Sequence, residues 1–372
     1  MPDWYVPSGD IPSLTEVLGA CIASVDPHLP GANSAAQEQF GLDASEQVLV
    51  IMVDGLGWVP LSRRIGHAGV LRSHRDQTTI ARTVVPSTTA AAIASFGTGA
   101  QPAETSMVGY SVAHGDSVMN LLAFDEGVDA SLWQPMPTHF ERLAQVGVET
   151  AVVSPPHFAS SGLTLAALRG SRHVGAVSWE QRMDAVLREL RSGTPLVYLY
   201  WSDIDHIGHS RGCESPEWTT ALEEFDAGLR ELLRRLPKGV SAVLTADHGM
   251  VDIRPSDLYD LADTPELREG VRMIAGETRA LHLHAEKTRA QDVCARWAEY
   301  LGDHAQLYRK DELASLMGEG PGLELIGDAV VFMGGREGVV DSRVQSAMSI
   351  SLIGVHGSLT EDEMLIPVMR LA

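Results

Sequence analysis

The stretch Q-V-L-V-I-M-V-D-G-L-G, Gln47 to Gly57, decides the fold. From Gln47 to Val53 the chain is apolar without alternation. That is the signature of a strand covered on both faces, as strands of parallel sheets are. Asp54 closes the run, and Gly55 lets the backbone turn sharply after it. Similar runs recur at Val148 to Val153, Leu196 to Trp201 and Ser241 to Thr245. Between and after them lie helical patterns at His139 to Gln145, Trp179 to Arg191 and Pro216 to Leu236. Strands separated by helices predict an α/β fold, with a largely parallel central sheet and helices on both faces.

The pattern changes after about Pro255. A short helical stretch at Leu258 to Arg268 leads to R-A-L-H-L-H-A, Arg279 to Ala285, which alternates like a half-buried strand. A helix at Arg289 to Leu301, an acidic-basic helix near Asp311 to Met317 and a strand at Ile326 to Met333 follow. We read residues 263–346 as an inserted, cap-like subdomain, and residues 1–262 with 347–372 as the catalytic core.

Composition bounds what such a protein does. The chain has 372 residues, 44% of them hydrophobic, enough for one large core and a smaller unit. A net charge of −21 argues against sequence-independent binding to duplex nucleic acid or to an anionic membrane, both of which need basic patches. Cys21, Cys213 and Cys294 are odd in number and far apart, so they support neither a disulfide framework nor a cysteine zinc site. Met1 to Gly19 lacks the basic start and apolar run of a signal peptide, and no stretch has the length of a membrane span. A cytoplasmic location is expected.

Chemistry-bearing residues collect at strand ends, where parallel α/β sheets bind ligands. Asp54 is placed to be a metal ligand or a helix N-cap. In P-S-T-T-A-A-A-I-A-S-F-G-T-G, Pro86 to Gly99, hydroxyl residues open an Ala-rich helix. They either cap it or present a nucleophile to an anion held at the helix N-terminus. In W-S-D-I-D-H-I-G-H, Trp201 to His209, Asp205 and His209 are four apart and face one side, whereas Asp203 and His206 do not share that spacing. T-A-D-H-G-M, Thr245 to Met250, brings Asp247 and His248 to one site only if the strand breaks, which Gly249 permits. His356 sits in G-V-H-G-S near the C-terminus. His282 and His284 read as structural. Three carboxylates and three imidazoles suffice for two mixed N/O metal sites, suited to zinc first and manganese second.

In this order, the motifs V-D-G, P-S-T-T with T-G, D-x-x-x-H, A-D-H-G-M and x-H-G resemble the alkaline phosphatase superfamily. Within it they are most similar to the type I phosphodiesterase/nucleotide pyrophosphatase group, in a compact bacterial form. The resemblance spans Asp54 to His356. It implies one metal on Asp54, Asp247, His248 and the nucleophile, and a second on Asp205, His209 and His356. The family nucleophile follows the motif's proline by three residues and precedes the closing glycine by ten, which selects Thr89 over Thr88 and Ser87. Thr88 then becomes a capping or packing residue. The chain departs from the family at Tyr110, where many members carry a phosphoryl-binding Asn. A tyrosine hydroxyl also donates, so Tyr110 is a candidate catalytic residue.

The expected function is metal-dependent hydrolysis of a phosphodiester or nucleotide pyrophosphate bond through a phosphothreonine on Thr89. The substrate would be a small phosphate ester or nucleotide. Phosphomonoesterase, phosphonate hydrolase and phosphomutase are the alternatives within the superfamily. A metal-stabilised nucleotide-binding scaffold is the non-enzymatic one. The sequence fixes no oligomeric state.

Overall fold

The computed structural model describes Trp4, Tyr5 and residues 11–372; the rest of the N-terminal stretch read above lies outside the described residues. A seven-stranded sheet organises the molecule. Its strands, in chain order, are β1 (Gln47–Val53), β2 (Thr78–Arg82), β3 (Thr150–Ser154), β4 (Arg172–Gly175), β5 (Leu196–Trp201), β6 (Val240–Thr245) and β7 (Leu365–Arg370). Across the sheet the order is β2-β7-β6-β1-β5-β3-β4. β1 lies between β5 and β6, parallel to both, and β3 is parallel to β5 and β4. Only β7 breaks this direction, pairing antiparallel with β6 and β2.

The central position of β1 explains its composition. Val48 to Val53 are all buried, because neighbours flank the strand on both edges and helices cover both faces. Those helices include α1 (Leu14–Val25), α2 (Thr89–Thr98), α3 (Trp179–Arg191), α4 (Asp203–Arg211) and α5 (Pro216–Arg235). The alkaline-phosphatase-like α/β architecture expected from the sequence is the one observed.

A second, four-stranded sheet is formed by β8 (Val271–Glu277), β9 (Ala280–Ala285), β10 (Ala305–Arg309) and β11 (Ala329–Met333), all antiparallel, in the order β8-β9-β11-β10. α6 (Ala290–Leu301) supplies Val293 and Trp297 to a separate apolar cluster with Leu283 and Val331. Local readings fail here in two places. Leu258–Asp260 is a strand that pairs in parallel with Gly338–Val340, so the helical stretch expected from Leu258 shrinks to Pro265–Arg268. The helix expected near Asp311 to Met317 is confined to Ala314–Met317. The first correction reflects pairing with residues distant in sequence, which overrides local periodicity; in the second, Glu312 and Leu313 form local turns back to Arg309 and Lys310 before the helix starts.

Candidate metal centre

Three backbones must meet for the site to form, and glycines let them. β1 ends at Val53, and Gly55 turns with a φ of 71°. A Cβ at Gly55 would lie 3.0 Å from Asp205 Cβ, so a larger residue would push α4 away. A Cβ at Gly249 would lie 1.9 Å from the Asp362 carbonyl oxygen. The segment after β6 can therefore fold back tightly beneath the end of β1. That fold places the consecutive residues Asp247 and His248 in one site. Asp247 Oδ1 accepts hydrogen bonds from the backbone N–H of Gly55 (3.1 Å) and of His248 (3.0 Å).

The three imidazoles are oriented alike. Nδ1 of His209 is 2.7 Å from the Gly354 carbonyl, that of His248 is 3.0 Å from the Gly249 carbonyl, and that of His356 is 3.1 Å from the Ser87 carbonyl. A carbonyl only accepts, so each Nδ1 carries a proton, which leaves Nε2 as the nitrogen available to a cation. The His248 and His356 rings stack at 3.8 Å between centroids, and the His209 ring lies 5.3 Å from that of His356.

The carboxylates complete the arrangement. His248 Nε2 is 3.4 Å from Asp54 Oδ1 and 3.5 Å from Asp247 Oδ2, and His209 Nε2 is 3.2 Å from Asp205 Oδ2. Asp54 Oδ1, Asp205 Oδ1 and Asp247 Oδ2 are buried with no hydrogen-bond partner. Orphaned anionic oxygens at this depth are costly unless a cation satisfies them. Burial, with repulsion from Asp205 and Asp247, pushes Asp54 well above the usual carboxylate range, and burial also raises Asp247. Burial works to raise Asp205 as well, but the facing His209 outweighs it and holds that carboxyl low. His209 is in turn pushed up to about 9: burial opposes the shift and Asp205 drives it. Three acids and three imidazoles, His209 once it gives up its Nε2 proton, thus form a candidate donor set for divalent cations. Two triads have ligand atoms within 4.8 Å of one another: Asp54, Asp247 and His248; and Asp205, His248 and His356.

Thr89 opens α2 beside this set, with Oγ1 3.1 Å from His248 Nε2. Thr88 holds the N-cap position but makes no cap bond with its side chain. Instead its Oγ1 donates to Glu277 Oε2 at 3.1 Å, so the capping role considered for Thr88 gives way to a contact with the second sheet. Asp203 and His206 are exposed, while His282 and His284 are buried on β9. Tyr110 lines one cavity with Asp54, Thr89, Asp205, His209 and His356 and is 43% exposed.

Two site residues escaped the sequence reading. Tyr200, on β5, donates its hydroxyl to Asp54 Oδ2. Glu277, at the end of β8, lies 3.5 Å from His356 Nδ1, and burial raises its carboxyl to about 8. Both sit next to or within apolar strand runs with no motif around them. Only the carboxyl-end position of Tyr200 on β5 carried a usable signal.

Fold and site together define an alkaline-phosphatase-like enzyme of phosphate-ester chemistry. The profile of the type I phosphodiesterase/nucleotide pyrophosphatase family matches residues 48–343, and the chain belongs to that family, whose members are metal-dependent. Among curated relatives, a phosphopentomutase of Rhizobium etli is 36% identical over 126 residues, covering 32% of this chain and 29% of the relative. Human ectonucleotide pyrophosphatase/phosphodiesterase family member 5 is 31% identical over 93 residues, covering 23% of this chain and 20% of the relative. The matches thus span about a third or less of these relatives. Two solved structures share the fold over 87% of this chain. Murine ectonucleotide pyrophosphatase/phosphodiesterase 5, an inactive variant of which was solved with AMP, aligns at a TM-score of 0.68, 16% identity and 87% of its own chain. Phosphonoacetate hydrolase from Sinorhizobium meliloti, in complex with phosphonoformate, aligns at 0.69, 18% identity and 89% of its chain. Among the described residues no helix is long and apolar enough to cross a membrane.

Proposed function

We propose that the protein hydrolyses phosphodiester or nucleotide pyrophosphate bonds, with Thr89 as nucleophile and two divalent cations, zinc before manganese. The observation that carries this reading is the gathering of three carboxylates with orphaned oxygens around His248, whose Nε2 lies 3.1 Å from Thr89 Oγ1. Asp54, Asp247 and His248, together with Thr89, would hold one cation, and Asp205, His209 and His356 the other. When bound, the cations supply the positive charge these acids lack and polarise the phosphoryl group.

The chain's own residues do the rest. Thr89 Oγ1 attacks phosphorus, the bond to the leaving oxygen breaks, and a phosphothreonine forms that water then hydrolyses. The first-turn N–H groups of α2, which no intrahelical carbonyl satisfies, face the phosphoryl oxygens. Tyr200 orients Asp54 through its hydroxyl. Tyr110, on the cavity wall, is proposed as a neutral donor to the substrate.

We assign residues 263–346 as a cap over the leaving group, inserted in a core of 1–262 and 347–372. Glu277, which reaches Thr88 from the second sheet, supports this division. Three buried cysteines without disulfides suit a cytoplasmic setting. A small phosphate ester or nucleotide is the expected substrate. Turnover of an aryl phosphodiester by metal-loaded protein, with phosphothreonine trapped in acid and located by mass spectrometry, tests the reading. Modification elsewhere, or no turnover, refutes it. The phosphopentomutase relatives favour one second reading, phosphoryl transfer within a sugar phosphate. It predicts an isomerised sugar phosphate in place of a released alcohol and phosphomonoester.

A further inference from the structure

The metal centre lies at one end of a cavity of about 1070 Å³ that runs along β8. Every residue from Val271 to Thr278 lines it. At the catalytic end, Glu277 meets Thr88, the neighbour of the nucleophile. Toward the start of β8, two arginines, Arg268 and Arg272, also line the cavity. At about 3.3 Å per residue, β8 separates Arg272 from Glu277 by roughly 16 Å. Met273, Ile274, Leu261 and Val340 line the walls between.

The arginines stand out by their lack of partners. Among the described residues neither side chain makes an ion pair or a hydrogen bond, and Arg268 Nε is buried without an acceptor. This occurs in a chain of net charge −21. Asp341 also lines the cavity but is held by Arg343 at 2.6 Å. A buried guanidinium nitrogen without an acceptor is costly, and a ligand anion relieves the cost.

We propose that Arg268 and Arg272 form a second anion subsite. The preferred substrate is then an elongated phosphodiester whose far end carries another phosphate or carboxylate, on the order of 10–16 Å from the scissile phosphorus, with an apolar stretch between. This inference rests on the phosphodiesterase reading and narrows its substrate class. Compact esters leave the subsite empty.

Two non-hydrolysed probes separate the inference from that reading: octyl phosphonate, and the same octyl chain with a phosphonate on each end. Calorimetric titration of the metal-loaded protein should show the doubly anionic probe binding about tenfold tighter or more, the worth of one charge-assisted pair. The advantage should shrink as salt rises. It should fall toward onefold in Arg272→Gln, whose side chain is exposed and whose loss spares the fold, and in Arg268→Gln. Equal affinities in the unaltered protein, or an advantage that survives both substitutions, overturn the subsite. Aryl diesters with octyl arms ending in phosphate, carboxylate or methyl then name the anion by their kcat/KM ratios. If no diester is cleaved while the doubly anionic probe keeps its advantage, the subsite stands and the hydrolase reading falls.

Discussion

Thr89 Oγ1 lies 3.1 Å from His248 Nε2, although the two are 159 residues apart. The contact links the N-terminus of α2 to the broken end of β6. It sets a hydroxyl against a nitrogen whose proton is on the far side of the ring, facing the Gly249 carbonyl. An imidazole in that tautomer accepts from Thr89 or ligates a cation, and in both cases the hydroxyl is poised to lose its proton.

Thr89→Ala should therefore lower kcat by roughly a thousandfold or more, as nucleophile removal does elsewhere. Thr88→Ala removes only the bond to Glu277 and should cost about 1 kcal/mol, near fivefold. Steady-state rates of the two variants on one aryl diester decide the register. The reverse ranking would place the nucleophile at residue 88.

Asp54→Asn should act in opposite directions on the metal-free and metal-loaded protein. Without cations it removes a buried carboxyl whose ionisation burial, Asp205 and Asp247 oppose, and keeps an acceptor for Tyr200, so the melting temperature should rise. With zinc present it removes a ligand, so affinity and the metal-dependent gain in melting temperature should fall. Scanning calorimetry with and without chelator reads both signs. A uniform loss would show that Asp54 serves the fold alone.

Acid stability should follow buried histidines outside the site. Burial lowers His139 to about 4 and His282 to about 3 from an ordinary 6.5. In the interval between, the unfolded chain binds protons that the folded one does not. Stability from these groups is therefore complete above 6.5 and is lost as pH falls toward the folded values. His139→Phe should flatten the pH dependence of the urea midpoint between neutrality and about pH 5. An unchanged slope would exclude His139 as a source.

Diesters should be preferred to monoesters. A monoester dianion needs an added positive group near the nucleophile, and Thr89 is followed by Ala90, Ala91 and Ala92. Arg279, the distant candidate to supply that group, is fully buried and paired with Glu363 at 2.7 Å. Comparing kcat/KM for an aryl phosphate and its methyl diester checks this. A monoester favoured by more than about tenfold, about 1.4 kcal/mol, would falsify the preference.

Local pattern alone determined the central strands and pointed to much of the candidate donor set. β1 and β5 could be bounded to the residue, because strands buried on both faces must be apolar throughout. Asp205 and His209 could be paired because helix geometry fixes what is four residues apart. Tertiary structure decided what depends on distant partners. The strand β2, T-T-I-A-R, is half-exposed at the sheet edge and carries no apolar run to betray it. Leu258–Asp260 became a strand through its pairing with Gly338–Val340, some eighty residues away. Glu277 and Tyr200 entered the site the same way: nothing beside them in sequence demands a carboxylate or a phenol. Their roles arise where β8 and β5 pass Thr88 and Asp54, and a meeting between distant segments leaves no periodicity in either.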